Sequence, residues 1–114
     1  MTRDLFNSEL QQLQDDVLVL GSTTEKAIMD AMEALRDGDS TWSRRIIEDD
    51  KKVNAKRFEI EDRTTFVIAS QQPMATDLRS LASILYIITD LERMADHAEG
   101  IARINLLLGD EPLP

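Results

Sequence analysis

Cysteine is absent from the 114-residue chain, which excludes disulfides, thiolate metal sites and a cysteine nucleophile. Proline and glycine are scarce, at three and four residues, and aromatic residues make up only 4%. With 42% hydrophobic and 31% charged residues, this is the composition of one helical bundle domain. No apolar run approaches the roughly 20 residues that span a bilayer. The N-terminus MTRDLFNSEL has neither a basic start nor a hydrophobic segment, so the expectation is a soluble, untargeted, cytoplasmic chain without direct membrane insertion. A phosphate-cradling glycine loop and a nucleophile elbow are missing, and the single histidine has no triad context. Positive charge is also in short supply. A net charge of -9 gives no bulk attraction for nucleic acid, and none is expected as a partner.

What is present is helical periodicity. Phe6, Leu10, Leu13, Val17, Leu20, Thr24, Ala27, Ala31 and Ala34 step by four and three, the spacing of a seam packed against neighbouring helices. Leu18, Ile28, Met32 and Leu35 widen that seam into a bundle-type stripe. Gly38 then suits a left-handed helix stop, and Asp39 or Ser40 suits the next N-cap. A second helix follows to about Ser70, where Ile46, Val53, Ile60 and Val67 recur every seven residues. Beside that row Ser43, Asp50, Asn54, Arg57, Glu61 and Thr64 form a polar seam with the same three-four spacing, which predicts half-burial. Gln71-Gln72-Pro73 breaks this helix, and Pro73 suits the first position of a third. The expected architecture is all-α: a three-helix antiparallel bundle occupying 1-114, with helices over about 4-37, 40-71 and 73-108.

The candidate chemistry lies in the third helix. Glu92 and Asp96 are four residues apart, so their carboxylates stack on one helix face. With Ile88 as the zero of a 100° wheel they sit at about 40° and 80°, at the edge of the apolar face. Carboxylates beside a core need a partner, because an unpaired desolvated charge costs several kcal/mol. A metal ion and a basic side chain are the two candidates. Asp50 and Asn54 repeat the spacing on the second helix. In an antiparallel hairpin closed at Gln71-Gln72-Pro73 they reach nearly the height of Glu92, so Asp50, Asn54, Glu92 and Asp96 are the predicted oxygen-donor set. Arg57, one turn closer to the hairpin, is placed to neutralise these acids. Arg79, Asp90, Arg93 and His97 share the opposite side of the third helix, a separate polar face.

These same residues carry a family resemblance. EDDKKVN, Ile60-Glu61, IASQQPMATDLR and DLERMADHAEGIA occur in the order and at the spacings of the PhoU family, and the resemblance covers nearly the whole chain. It implies one copy of a three-helix repeat that the family usually carries twice, with the look of the first. It also implies a regulatory role without catalysis, coupling the ATPase subunit of a phosphate ABC transporter to a sensor histidine kinase and holding the phosphate-starvation response off. A further implication is a divalent or multinuclear metal site built on a Glu/Asp-x-x-x-Asp motif. Glu92 and Asp96 match that motif strictly, and Asp50 and Asn54 match it with an amide in second place. Oxygen donors of this kind accept Mg, Mn, Fe, Zn or Ca. Arg57, Glu61, Arg79, Asp90 and Arg93 supply the remaining polar seam or a partner face. A homodimer is expected to cover what a second repeat would cover. The competing readings are a carboxylate-bridged bundle with a storage or redox role and a purely structural helical partner.

Overall fold

In the computed structural model, residues 2-110 are described, and they form three helices: α1 Arg3–Asp37, α2 Ser40–Gln71 and α3 Ala75–Leu108. Among the described residues there is no strand. Each helix is long because its interior lacks proline and its apolar positions keep helical period throughout. Thr2 caps α1, its hydroxyl accepting from the Leu5 N–H at 3.2 Å. At the other end Gly38 takes φ 68°, and the Asp39 N–H donates to the Ala34 carbonyl at 2.9 Å. This left-handed cap stops α1. Asp39 immediately starts α2 by accepting from the Trp42 N–H at 2.9 Å.

The second turn differs from the expectation. Gln72, not a glycine, takes the left-handed position at φ 44°, and Ala75 follows at φ 53°. Having turned at Gln72, the chain passes through Pro73 and Met74 before α3 begins at Ala75. The fixed φ of Pro73 is thus used in the turn and not at the first helical position.

The molecule is a rod of 58 × 19 × 17 Å, with α2 antiparallel to α1 and α3. Its core changes character along the axis. Toward the α2–α3 turn it is built from large side chains, including Phe6, Leu13, Leu20, Ile60, Leu81 and Ile88. Toward the α1–α2 turn alanines take over: Ala31, Ala34, Ala98 and Ala102 pack with Ile46. The inner row of α1 is buried as its spacing requires, from Phe6 and Leu13 to Ala31 and Ala34. Two residues expected to widen it inward, Leu18 and Met32, are instead 71% and 53% exposed, because two neighbours cover only part of a stripe that broad.

Asn105 closes the alanine end. Asn105 is only 1% exposed, and the two N–H groups of its amide are shared among the carbonyls of Ala34 at 3.1 Å and Asp39 at 3.2 Å and the Ser43 hydroxyl at 2.7 Å. One α3 side chain therefore binds the end of α1, the turn and the start of α2.

Candidate functional site

The polar seam of α2 lies where the large-residue core gives way to alanine, facing α3. Ser43, Asp50 and Thr64 are buried, and Asn54, Arg57 and Glu61 are half-buried. Asp50, Asp96 and Glu99 each offer a carboxylate oxygen, and these oxygens lie within 4.8 Å of one another. Asp50 comes from α2, while Asp96 and Glu99 are one turn apart on α3. Asn54 joins the set from α2: its amide nitrogen is 3.5 Å from Asp50 Oδ2, and its buried Oδ1 has no hydrogen-bond partner.

Glu92 goes elsewhere. Arg57, whose side chain is 13% exposed, places Nε 2.8 Å from Glu92 Oε2 and Nη2 3.3 Å from Oε1. The shorter approach is an electrostatic contact without hydrogen-bond alignment. The other arm of Arg57 donates to Glu61 at 2.6 Å, and the guanidinium stacks 3.9 Å over the Phe58 ring. Arg57 thus neutralises Glu92 and Glu61 one turn from the three clustered acids. Of the donor set expected from the sequence, Asp50, Asn54 and Asp96 come together, Glu92 sits beside them with a cation of its own, and Glu99 completes the cluster. Glu99 lies at about 20° from Ile88 on the wheel, nearer the core direction than Glu92 or Asp96. That angle was its sequence signal. Arg79, Asp90, Arg93 and His97 are all exposed, and Arg93 lies 3.9 Å from Asp90 as a solvent-facing pair, worth little by itself.

Crowded acids at a buried position redistribute their proton. Burial first, then a hydrogen bond to Glu99, then the charges of Glu99, Asp96 and Glu92 raise the Asp50 pKa to about 7. Glu99 moves the opposite way, lowered by the bond from Asp50 and by Arg103, which lies 2.6 Å away. Below about pH 7, Asp50 therefore holds a proton that it donates to Glu99. A divalent cation would do the same work more strongly: hard cations take carboxylate and amide oxygens at about 2.0–2.6 Å. Three acidic oxygens suit such an ion in chemistry, and the Asn54 amide beside Asp50 carries a buried oxygen without a partner that would serve as a neutral donor once the amide is turned over. A groove of about 390 Å³ between α1 and α2, floored by Ala95 and Ala98, reaches Asp50 and Glu99 from the side of α1.

All of these residues fall within the stretch, residues 17–104, that matches the family model described as PhoU domain. The chain belongs to the PhoU family. Among curated proteins it is similar to the phosphate-specific transport system accessory protein PhoU homolog of Clostridium acetobutylicum, 43% identical over 104 residues, covering 90% of this chain and 48% of that protein. It is 38% identical over 101 residues to the phosphate-specific transport system accessory protein PhoU of Escherichia coli, covering 89% of this chain and 42% of that protein. The homolog of Borreliella burgdorferi is 36% identical over 109 residues, with 95% and 49% covered. The chain spans about half the length of these PhoU proteins. The names of these relatives place those proteins, not this chain by itself, as accessories of a phosphate-specific transport system.

Proposed function

We propose that this chain is a metal-binding helical interaction module that restrains phosphate uptake and phosphate-starvation signalling in the cytoplasm. It does so by contacting the ATPase subunit of a phosphate ABC transporter and a sensor histidine kinase. The observation that carries the transport assignment is the match over residues 17–104, reinforced by relatives whose names place them in a phosphate-specific transport system. No helix among the described residues is long and apolar enough to cross a membrane, so contact with membrane-bound partners would run through helix surfaces. No catalytic turnover belongs to this function.

The metal component is supported by the Asp50, Asp96 and Glu99 cluster and by the free, buried Asn54 Oδ1. Bound there, a divalent cation would supply charge neutralisation across the α2–α3 seam and stiffen it. Asp50, Asp96 and Glu99 would hold it, with Asn54 as the neutral donor and Arg57 keeping Glu92 out of the site. The working unit is a homodimer.

Partner binding is tested by co-expressing the tagged chain with the transporter's ATPase subunit and, separately, with the cytoplasmic part of the kinase. At least one should copurify through a salt wash and without phosphate-dependent turnover. Recovery of neither, with the tagged chain folded, rejects the regulatory-module function.

A further inference from the structure

The groove between α1 and α2 has an apolar length that a metal ion does not use. It opens where the bundle turns to alanine: Ala27 of α1 and Ala95 and Ala98 of α3 leave about 390 Å³ unfilled, within the roughly 300–1,000 Å³ of small-molecule sites. On α2 it runs from Ile46 to Lys56, roughly 15 Å of helix. The larger side chains that face it, Leu20, Ile46 and Val53, belong to the buried core. Charge along this groove is sorted by depth. At the lips Lys26 lies 2.5 Å from Asp30, Lys52 3.6 Å from Asp49 and Lys56 3.5 Å from Glu59, so each lysine already has an acid beside it. At the bottom stand Asp50, 8% exposed, and Glu99, with Asp96 in the same cluster. Among the described residues Arg103, paired with Glu99, is the one cation within 4 Å of these three acids. The lips are therefore balanced and the bottom is short of positive charge.

We infer that this groove is a binding site for a small organic cation, a primary ammonium carried on an apolar stem. The ammonium sits against Asp50 and Glu99, and the stem lies along the groove against Ala27, Val53 and Ala98. Desolvation and charge select this class of ligand. A neutral apolar molecule would strip water from two carboxylates and leave them without a partner, which is strongly unfavourable. An anionic amphiphile would either add negative charge at the bottom or keep its head at the lips, where the lysines are already paired. An inorganic cation satisfies the acids and leaves the apolar walls uncovered. An ammonium with a stem meets both demands, since its three donors match carboxylate oxygens and its methylenes leave water for the alanine floor. The inference goes beyond the metal site of the proposed function and shares Asp50 and Glu99 with it.

NMR titration of the isotope-labelled full chain with hexylammonium, in chelator-containing buffer near neutral pH, tests the inference, with propylammonium, hexanol and hexanoate as comparisons. The amide signals of Ala27, Val53, Ala95 and Ala98 should shift. Each buried methylene is worth roughly fourfold in affinity, so hexylammonium should bind about tenfold or more tightly than propylammonium. Hexanol and hexanoate, which lack the cation, should each bind about tenfold or more weakly than hexylammonium. In Asp50→Asn/Glu99→Gln, which preserves side-chain shape, hexylammonium should lose about tenfold and hexanol should lose nothing. Unmoved groove amides, equal affinity for the two ammonium ions, or hexanol or hexanoate binding as tightly as hexylammonium overturns the inference. Metal is absent from this titration, so its failure leaves the Mn²⁺ site standing, and a chain that binds hexylammonium but no Mn²⁺ overturns the metal site alone.

Discussion

Asn105→Leu should destabilise the bundle by about 1–2 kcal/mol, on the order of 5–10 °C in the midpoint of thermal unfolding. Leucine nearly conserves the volume of the buried side chain, so packing changes little and the loss is that of the hydrogen bonds. The two N–H groups of the Asn105 amide are shared among three acceptors, Ala34 O, Asp39 O and Ser43 Oγ, while its own buried Oδ1 has no partner, so leucine also removes an unsatisfied acceptor. The two carbonyls keep one backbone donor each, from Asp39 and Ser43, which keeps the cost near 1 kcal/mol per bond and below that of orphaned groups. What is lost is the tie between α3 and the turn that joins α1 to α2. Ser43→Ala removes the nearest of the three acceptors and should cost about 1 kcal/mol. Urea unfolding followed by circular dichroism measures both. If Asn105→Leu stays within about 0.5 kcal/mol of the original, the range of a neutral surface change, the network carries no stability.

Asp50→Asn should make the protein more tolerant of alkaline pH. The Asp50 carboxyl has a pKa of about 7 in the folded chain against an ordinary value of 3.8. Between those values the folded state holds a proton that the unfolded state releases, so stability falls as pH rises. The contribution is fully present below about 3.8 and is lost by the time pH passes about 7. Three units of separation amount to at most about 4 kcal/mol, and about 3 is a realistic expectation for a position flanked by water on one side. Asparagine keeps an N–H donor toward Glu99 and cannot ionise. In a chelator-containing buffer, its stability relative to the original should therefore rise by about 3 kcal/mol from pH 4 to pH 8. A difference that is flat across this range would mean that Asp50 ionises normally.

The helices were legible in the sequence because their signals are local. Three-four spacing in α1, the seven-residue row of α2 and the Gly38-Asp39 stop and restart each belong to one stretch of chain. The half-burial of the polar seam was legible too, since Asp50, Asn54 and Arg57 keep step with the apolar row. What single-helix periodicity does not contain is the choice between partners across a groove. Glu92 and Glu99 are both directed toward α2, and which of them joins Asp50 is decided by Arg57, whose long side chain reaches Glu92 first. The role of Asn105 is hidden from the sequence for a similar reason. An asparagine late in a helix is unremarkable until the parallel offset of α1 and α3 sets it beside the Ala34 carbonyl. Leu18 and Met32 read as inward because the wheel records apolarity, not whether a neighbour is there to cover it.

The identity of the third carboxylate at the α2–α3 seam is resolved by calorimetric titration with Mn²⁺ at pH 7.5. Glu99→Gln and Glu92→Gln preserve side-chain shape and each removes one charge. Loss of a ligand should weaken Mn²⁺ binding by Glu99→Gln about a hundredfold, whereas Glu92→Gln, which removes only the acid paired with Arg57, should stay within about tenfold of the original, a distinction of more than 1 kcal/mol. The reverse order, or undiminished binding by Glu99→Gln, would contradict a metal centre formed by Asp50, Asp96 and Glu99.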